Sequence, residues 1–97
     1  MSVNASVTIY TTGYCGFCHR AKRLLTHKKV KFVEIDVEER PDLRRWLAEV
    51  SGQRTVPQVF INGMSVGGFS DISALDARGE LDRLLGEGPP AALNLRT

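Results

Sequence analysis

Two short apolar segments separated by one amphipathic segment constrain the fold of this chain most strongly. The β-branched and aromatic run from Val7 to Tyr10 predicts a buried strand, and the run from Phe32 to Val37 predicts a second. Between them, apolar residues at helical spacing predict a helix from about Gly16 to Lys28. A strand, a helix and a strand in this order usually form a right-handed parallel crossover unit, so we expect a parallel strand pair.

A second helix follows with clear signals at both ends. Pro41 suits the first helical position, where its missing N–H has no cost, and Gly52 suits the stop. Between these residues an apolar stripe recurs at i, i+3, i+4 and i+7 and predicts the buried face of this helix, formed by Leu43, Trp46, Leu47 and Val50.

The remainder of the domain predicts a hairpin and a helical end. Asn62-Gly63 lies between two apolar runs and favours a two-residue turn, because both positions adopt positive φ. A third helix is expected to have Ser70 or Asp71 as its cap and to break near Gly79, before Leu81, Leu84 and Leu85 form a last helical turn or two. The predicted order is β-α-β-α-β-β-α, an α/β fold with a mixed four-stranded sheet flanked by helices.

Length and composition are those of one compact domain. The chain has 97 residues and 42% apolar content, so we place a single domain at residues 1–85 and a poorly ordered tail at 86–97. A net charge of +2 gives no support for nucleic-acid binding. The N-terminal sequence lacks a secretory pattern and no apolar run reaches the ~20 residues of a membrane span, so a cytoplasmic protein without membrane attachment is predicted.

The pair Cys15-Gly16-Phe17-Cys18 carries the predicted chemistry. Disulfide exchange requires an exposed thiolate, a second thiol within reach of the mixed disulfide, and a local field that favours negative charge. At a helix start, Cys15 would lie near unpaired N–H groups, while Cys18 would sit inside the first turn with less access to solvent. Lys22 either adds to the field or is a solvated surface charge.

Other interpretations of this pair fit the sequence less well. A closed zinc site needs further ligands, and the two histidines, His19 and His27, lie on the same predicted helix. The segment from Cys15 to His19 also matches the attachment motif of c-type haem, but that chemistry usually follows export. An inert buried pair is disfavoured because Gly13 and Gly16 surround the first cysteine with small residues.

Three segments together resemble the glutaredoxins. They are Cys15-Gly16-Phe17-Cys18, then Thr55-Val56-Pro57 with a candidate cis peptide before Pro57, then Gly67-Gly68-Phe69-Ser70-Asp71. The resemblance implies a thioredoxin-like fold and a glutathione-dependent thiol–disulfide oxidoreductase that reduces protein disulfides and glutathione mixed disulfides. It also implies that Cys15 is the nucleophile and Cys18 the resolving thiol.

The resemblance further implies a glutathione site. The backbone of Val56 would pair with the cysteinyl unit as an added strand. Ser70 and Asp71 would bind the γ-glutamyl end, with helix N–H groups on its carboxylate and Asp71 on its ammonium. Arg54, and secondarily Arg44, would face the glycyl carboxylate. The predicted glutathione-binding residues are Arg54, Thr55, Val56, Pro57, Gly68, Ser70 and Asp71.

Two departures from the family pattern leave a second function open. Thr12 stands where many glutaredoxins have a lysine, so one source of thiolate stabilisation and glutathione attraction is missing. Gly16-Phe17 differs from the proline and tyrosine of dithiol members and is shared with monothiol iron-sulfur carriers. The alternative is a dimer that shares a two-iron two-sulfur cluster through Cys15 and bound glutathione. Otherwise we expect a monomer whose partners are glutathione and glutathionylated or disulfide-containing proteins.

Overall fold

The order of the helices and strands agrees with the prediction up to the end of the domain. The computed structural model describes residues 5–13 and 15–87. The elements are β1 (Val7–Thr11), α1 (Gly16–His27), β2 (Phe32–Asp36), α2 (Pro41–Ser51), β3 (Gln58–Ile61), β4 (Met64–Gly67), α3 (Phe69–Ala77) and α4 (Glu80–Gly86). Gly79, at φ 75°, separates the last two helices as predicted. Most of the predicted tail, residues 88–97, lies outside the described residues.

One mixed sheet forms the centre of the domain. Its strand order is β2-β1-β3-β4, with β1 parallel to β2 and antiparallel to β3, and β3 antiparallel to β4. The predicted hairpin turn is confirmed, since Asn62 and Gly63 have φ values of 54° and 80°. Because β1 and β3 are antiparallel, the end of β1 and the start of β3 lie at the same edge of the sheet. The cysteine motif and the Thr55–Pro57 segment therefore meet there.

Alternation along the strands divides the core between the two faces of the sheet. One face packs Ile9 and Val59 against α1, α3 and α4 through Ala21, Leu25 and Ile72, among other residues. On the opposite face, strand residues Tyr10 and Phe60 pack against α2. The cluster there consists of Tyr10, Val37, Leu43, Leu47 and Phe60. Helices thus cover both faces, as the sequence predicts.

Helix α2 confirms its predicted ends but not its whole predicted face. Pro41 occupies the first turn, and Gly52 ends the helix at φ 73° with its N–H donated to Ala48 O at 2.9 Å. Leu43 and Leu47 are buried. The assignment of Val50 to the buried stripe is wrong, since its side chain is 46% exposed. It lies in the last turn, beyond the cluster that the helix covers.

The predicted cap of α3 is also wrong. The cap residue is Gly68, and Ser70 and Asp71 lie inside the first turn. Asp71 still stabilises the helix start, because its Oδ2 accepts the Gly68 N–H at 2.9 Å from the third helical position. A glycine at the cap combined with an acidic third residue therefore replaces the side-chain cap that the sequence suggested.

Lys28 joins the end of α1 to both C-terminal helices. Its Nζ lies 2.6 Å from Asp76 Oδ1 on α3 and 3.0 Å from Asp82 Oδ1 on α4. Hydrogen bonds to these two carboxylates raise the pKa of Lys28 above its usual value. None of the helices in residues 5–13 and 15–87 is long and apolar enough to span a bilayer.

Candidate active site

Cys15 is the cap residue of α1 and is partly exposed. The Cys18 N–H donates to Cys15 Sγ over 3.2 Å, so an unpaired amide at the helix start contacts the sulfur directly. Across the site, the thiol of Cys15 donates to the carbonyl oxygen of Val56 over 3.5 Å. The Val56 carbonyl therefore accepts the proton of the Cys15 thiol. Once that proton has left, the Cys18 N–H and the positive end of the helix dipole favour the negative charge on the sulfur.

Cys18 lies one turn further along α1 and is only 2% exposed. Burial raises the pKa of its thiol to about 12, and a hydrogen bond with Cys15 adds to the shift. A backbone hydrogen bond from Thr12 and the charge of Lys22 act in the opposite direction. The Cys18 thiol is therefore neutral and buried in the reduced protein. Its lower access to solvent, predicted from the sequence, is confirmed.

Cys15 contributes to the raised pKa of Cys18. Burial is the largest cause of the upward shift in the Cys18 pKa, and the hydrogen bond and the charge of Cys15 add to that shift. Both contributions are lost once Cys15 has formed a mixed disulfide, because that sulfur then carries neither a proton nor a charge. The Cys18 pKa should fall at that point, while burial, the largest cause of the shift, still keeps it raised.

Lys22 has a partner and is not a solvated charge. Its Nζ lies 3.0 Å from Glu34 Oε2 on β2, and the same oxygen accepts the Thr11 hydroxyl at 2.8 Å. Partial burial acts to raise the pKa of Glu34, but hydrogen bonds from Thr11 and Lys22 lower it overall. The pair fixes the outer side of α1 against the sheet next to the cysteine motif.

Six of the seven predicted glutathione-binding residues line one cavity of about 430 Å³. One wall is the segment before β3, where the Val56–Pro57 bond is cis, as the sequence suggested. The facing wall is the start of α3. Phe17, Gln53 and Phe69 also line the cavity, and the sequence did not single them out as site residues. The six predicted residues in the lining are Thr55, Val56, Pro57, Gly68, Ser70 and Asp71.

The seventh predicted residue, Arg54, lies in a neighbouring groove along α2. Arg44 and Arg45 line the same groove, together with Glu49. Three guanidinium groups, those of Arg44, Arg45 and Arg54, therefore line a groove next to the cavity, on the side of Gln53. Arg45 was missed because its exposed position on α2 is indistinguishable from a solvated charge without the fold.

Gln58 supports the segment that forms the first wall. The side chain is fully buried, and its Nε2 donates to Gln53 Oε1 at 2.8 Å and to Thr55 O at 3.0 Å. Its Oε1 has no hydrogen-bond partner among the described residues. The Gln58 amide therefore stabilises the conformation of residues 53–55, because it donates hydrogen bonds to a loop that has no neighbouring strand to supply them. A lone polar residue within the apolar run that follows Pro57 was the available sequence signal.

The fold and the cysteine geometry define a class of protein. A partly exposed thiol at a helix start, a buried thiol three residues later and a facing strand start together form the site of a thiol–disulfide oxidoreductase. The described ranges 5–13 and 15–87 contain no group of three or more His, Cys, Asp or Glu side chains that could hold a metal ion.

Comparison with known proteins gives the family. The glutaredoxin family profile matches residues 7–66, and the chain belongs to the glutaredoxins. Glutaredoxin 3 of Escherichia coli K12 is 48% identical over 84% of this chain and 98% of its own length. A Pseudomonas aeruginosa glutaredoxin is 49% identical over 81% of this chain and 94% of its own. The crystal structure of a buckwheat glutaredoxin–glutathione complex has 30% identity, covers 84% of this chain and 76% of its own, and superimposes with a TM-score of 0.78. The thioredoxin-like fold and the redox function are thereby established.

Proposed function

We propose that this glutaredoxin uses glutathione, reducing glutathione mixed disulfides through Cys15 and protein disulfides through Cys15 and Cys18 together. The observation that carries the proposal is the cavity beside Cys15, which has the Val56 segment on one wall and the start of α3 at Ser70 and Asp71 on the other. The solved buckwheat relative is a complex with glutathione, which supports the same ligand here.

The first reaction needs only one cysteine. The Cys15 thiolate attacks the glutathione sulfur of a mixed disulfide, a new S–S bond forms between Cys15 and glutathione, and the substrate thiolate leaves and takes a proton from solvent. A second glutathione thiolate then attacks the bound glutathione sulfur. This step forms oxidised glutathione and restores the Cys15 thiolate, so each turnover consumes one free glutathione, and the substrate supplies the other half of the oxidised glutathione.

The second reaction uses the buried thiol. Cys15 attacks a protein disulfide and forms a mixed disulfide, which releases the first substrate thiol. Cys18 then loses its proton and attacks Cys15 Sγ, which releases the second substrate thiol and leaves a Cys15–Cys18 disulfide. Two glutathione molecules reduce that disulfide. The burial of Cys18 limits its reaction to the sulfur one helical turn away.

The cavity walls give each part of glutathione a partner of suitable chemistry. The Val56 backbone would pair with the cysteinyl unit, as in strand addition. The first-turn N–H groups near Ser70 would receive the γ-glutamyl carboxylate, and Asp71 would receive the ammonium. Arg54 and Arg44 would meet the glycyl carboxylate. The remaining predicted lining residues, Thr55, Pro57 and Gly68, would shape the cavity floor and walls.

An iron-sulfur carrier is not favoured. The relatives that the chain matches are glutaredoxins, which supports a redox function over the alternative of a dimer that shares a cluster through Cys15 and bound glutathione. We also propose that the protein works in the cytoplasm, where a reducing glutathione pool maintains free thiols. A catalytic cysteine pair, in contrast to a structural disulfide, suits that compartment.

Substituting Asp71 with asparagine tests the glutathione site. An amide oxygen can still accept the Gly68 N–H, but the charge that would bind the γ-glutamyl ammonium is removed. We expect the KM for a small glutathione mixed disulfide to rise about tenfold with kcat nearly unchanged, as for loss of one charge-assisted hydrogen bond. Steady-state kinetics coupled to glutathione reductase measure this change.

The matched control for this test is Asp82→Asn, which removes a carboxylate from α4 that contacts Lys28 instead of the cavity. We expect its KM to equal that of the unmodified protein. Equal KM values for Asp71→Asn and the unmodified protein would reject the assigned γ-glutamyl contact. If the unmodified protein showed no turnover with glutathione, the proposed function itself would be rejected.

A further inference from the structure

A mixed aromatic and basic surface begins where the glutathione cavity ends. Phe17 is 57% exposed, and its ring lies 6.4 Å from that of Phe69 between centroids. Both rings line the cavity. On the outer side, the guanidinium of Arg20 lies over the Phe17 ring at 5.6 Å from its centroid. A shallow depression of about 270 Å³ continues from Phe69 between α1 and α3. We call this surface the α1/α3 face; it consists of Phe17, Arg20, Arg23, Phe69 and Ser73.

The positive charge on this face is not fully balanced by the protein. Helix α1 contains no aspartate or glutamate between Gly16 and His27. The lysines of this region have partners elsewhere, since Lys22 pairs with Glu34, and Lys28, which follows the helix, pairs with Asp76 and Asp82. Within the part of the chain that the structure describes, neither Arg20 nor Arg23 has an ion-pair partner.

Asp76 is the one carboxylate in the lining of the depression, and it does not cancel this charge. Its Oδ1 lies 2.6 Å from Lys28 Nζ, an ammonium that Asp82 shares, so these three groups together carry one negative charge against the two positive charges of Arg20 and Arg23. The two arginines therefore present free guanidinium forks beside an exposed aromatic ring. Such forks bind carboxylates in a bidentate manner, and the ring offers contact area to an apolar side chain.

A glutathionylated protein is too large for the cavity. The cavity of about 430 Å³ holds groups of the size of glutathione, so the polypeptide on either side of the modified cysteine must cross the rim. The groove along α2 is the proposed place of the glycyl end of glutathione. The α1/α3 face begins at the cavity rim formed by Phe17 and Phe69 and continues outward from it. It is therefore the continuous surface available to the polypeptide.

We propose that the α1/α3 face binds an acidic segment of protein substrates next to their reactive cysteine, with carboxylates on Arg20 and Arg23 and an apolar side chain on Phe17. This inference rests on the proposed glutathione-dependent activity, because it names the protein substrates of the same site. Charge complementarity of this kind acts mainly on the rate of encounter, so it should appear in kcat/KM and weaken with salt.

The test compares three substrates that carry the same glutathione group. Two are peptides with one glutathionylated cysteine flanked by either glutamates or lysines, and the third is the mixed disulfide of glutathione with 2-mercaptoethanol. We expect kcat/KM at low ionic strength to be about tenfold or more higher for the acidic peptide than for the basic one. The difference should largely disappear at about 0.5 M salt, where the Debye length is only a few ångströms.

Charge-reversal variants locate the effect. Arg20→Glu and Arg23→Glu should each remove most of the preference for the acidic peptide while leaving kcat/KM for the small mixed disulfide unchanged. Lys31→Glu makes the same change in net charge at the opposite end of the sheet, beside the start of β2, and should keep the preference.

Two results would overturn the proposal. One is equal kcat/KM for the acidic and basic peptides in the unmodified protein. The other is a preference that survives both arginine substitutions, since the charges responsible would then lie elsewhere, for example in the groove along α2. Absence of turnover on the small mixed disulfide by the unmodified protein is a different outcome, because it would reject the glutathione-dependent activity itself.

Discussion

Replacing Cys15 with serine is expected to abolish turnover of a glutathione mixed disulfide, whereas replacing Cys18 with serine should preserve most of it. Cys15 is the partly exposed sulfur that receives an N–H at the start of α1, and a hydroxyl in its place cannot attack a disulfide at neutral pH. We expect kcat/KM to fall by more than about a thousandfold for Cys15→Ser and by less than about threefold for Cys18→Ser. The coupled glutathione reductase assay measures both variants.

A protein disulfide serves as the second substrate in this experiment. Its reduction requires the resolving thiol, so Cys18→Ser should lose this activity although it retains the other. Similar losses in the two variants on the glutathione mixed disulfide would contradict the roles assigned to the two cysteines.

Replacing Gln58 with glutamate should have the largest effect on stability. The Gln58 Nε2 donates to Gln53 Oε1 and Thr55 O in a fully buried position. A carboxylate has no hydrogen to donate and would place a buried negative charge against two acceptors. We expect the free energy of unfolding at neutral pH to fall by about 3–5 kcal/mol, measured from urea denaturation midpoints.

The pH dependence of this loss gives a further check. Burial would raise the pKa of the introduced carboxyl in the folded state above its unfolded value of about 4.3. The loss should therefore be small below about pH 4, grow as the pH rises between the two pKa values, and stay constant above the folded one. A midpoint for Gln58→Glu equal to that of the unmodified protein at pH 7 would contradict this account.

The matched control is Gln58→Met, which has similar length and volume and carries no charge. It removes the two donated hydrogen bonds but also the Oε1 atom that has no partner among the described residues. We expect a loss of only about 1–2 kcal/mol, without pH dependence between pH 4 and 7. The contrast between the two variants separates the cost of a buried charge from that of the lost hydrogen bonds.

The features that were predictable from the sequence depend on short segments. The turn at Asn62 and Gly63 and the end of α2 at Gly52 each follow from a backbone conformation that few residues adopt, and both are confirmed. The arrangement of Cys15 and Cys18 was predictable for the same reason, because one helical turn determines which sulfur is near the free N–H groups.

The features that were missed depend on contacts between distant segments. The Val56 carbonyl reaches Cys15 across 41 positions of sequence, and only the family resemblance linked the two segments in advance. Gln58 was overlooked because its partners lie in a loop that no periodicity describes. The cap of α3 was misassigned since Gly68 has no side chain to signal it, although Asp71 stabilises the same turn from within.

The account depends on a division of labour between an accessible sulfur and a buried one, and selective alkylation tests it directly. The reduced protein is treated with iodoacetamide at pH 7, and the modified residues are quantified by mass spectrometry over time. We predict that Cys15 is modified while Cys18 remains free, because the Cys18 thiol is 2% exposed and burial raises its pKa to about 12. Modification of Cys18 as fast as Cys15, or before it, would contradict the account.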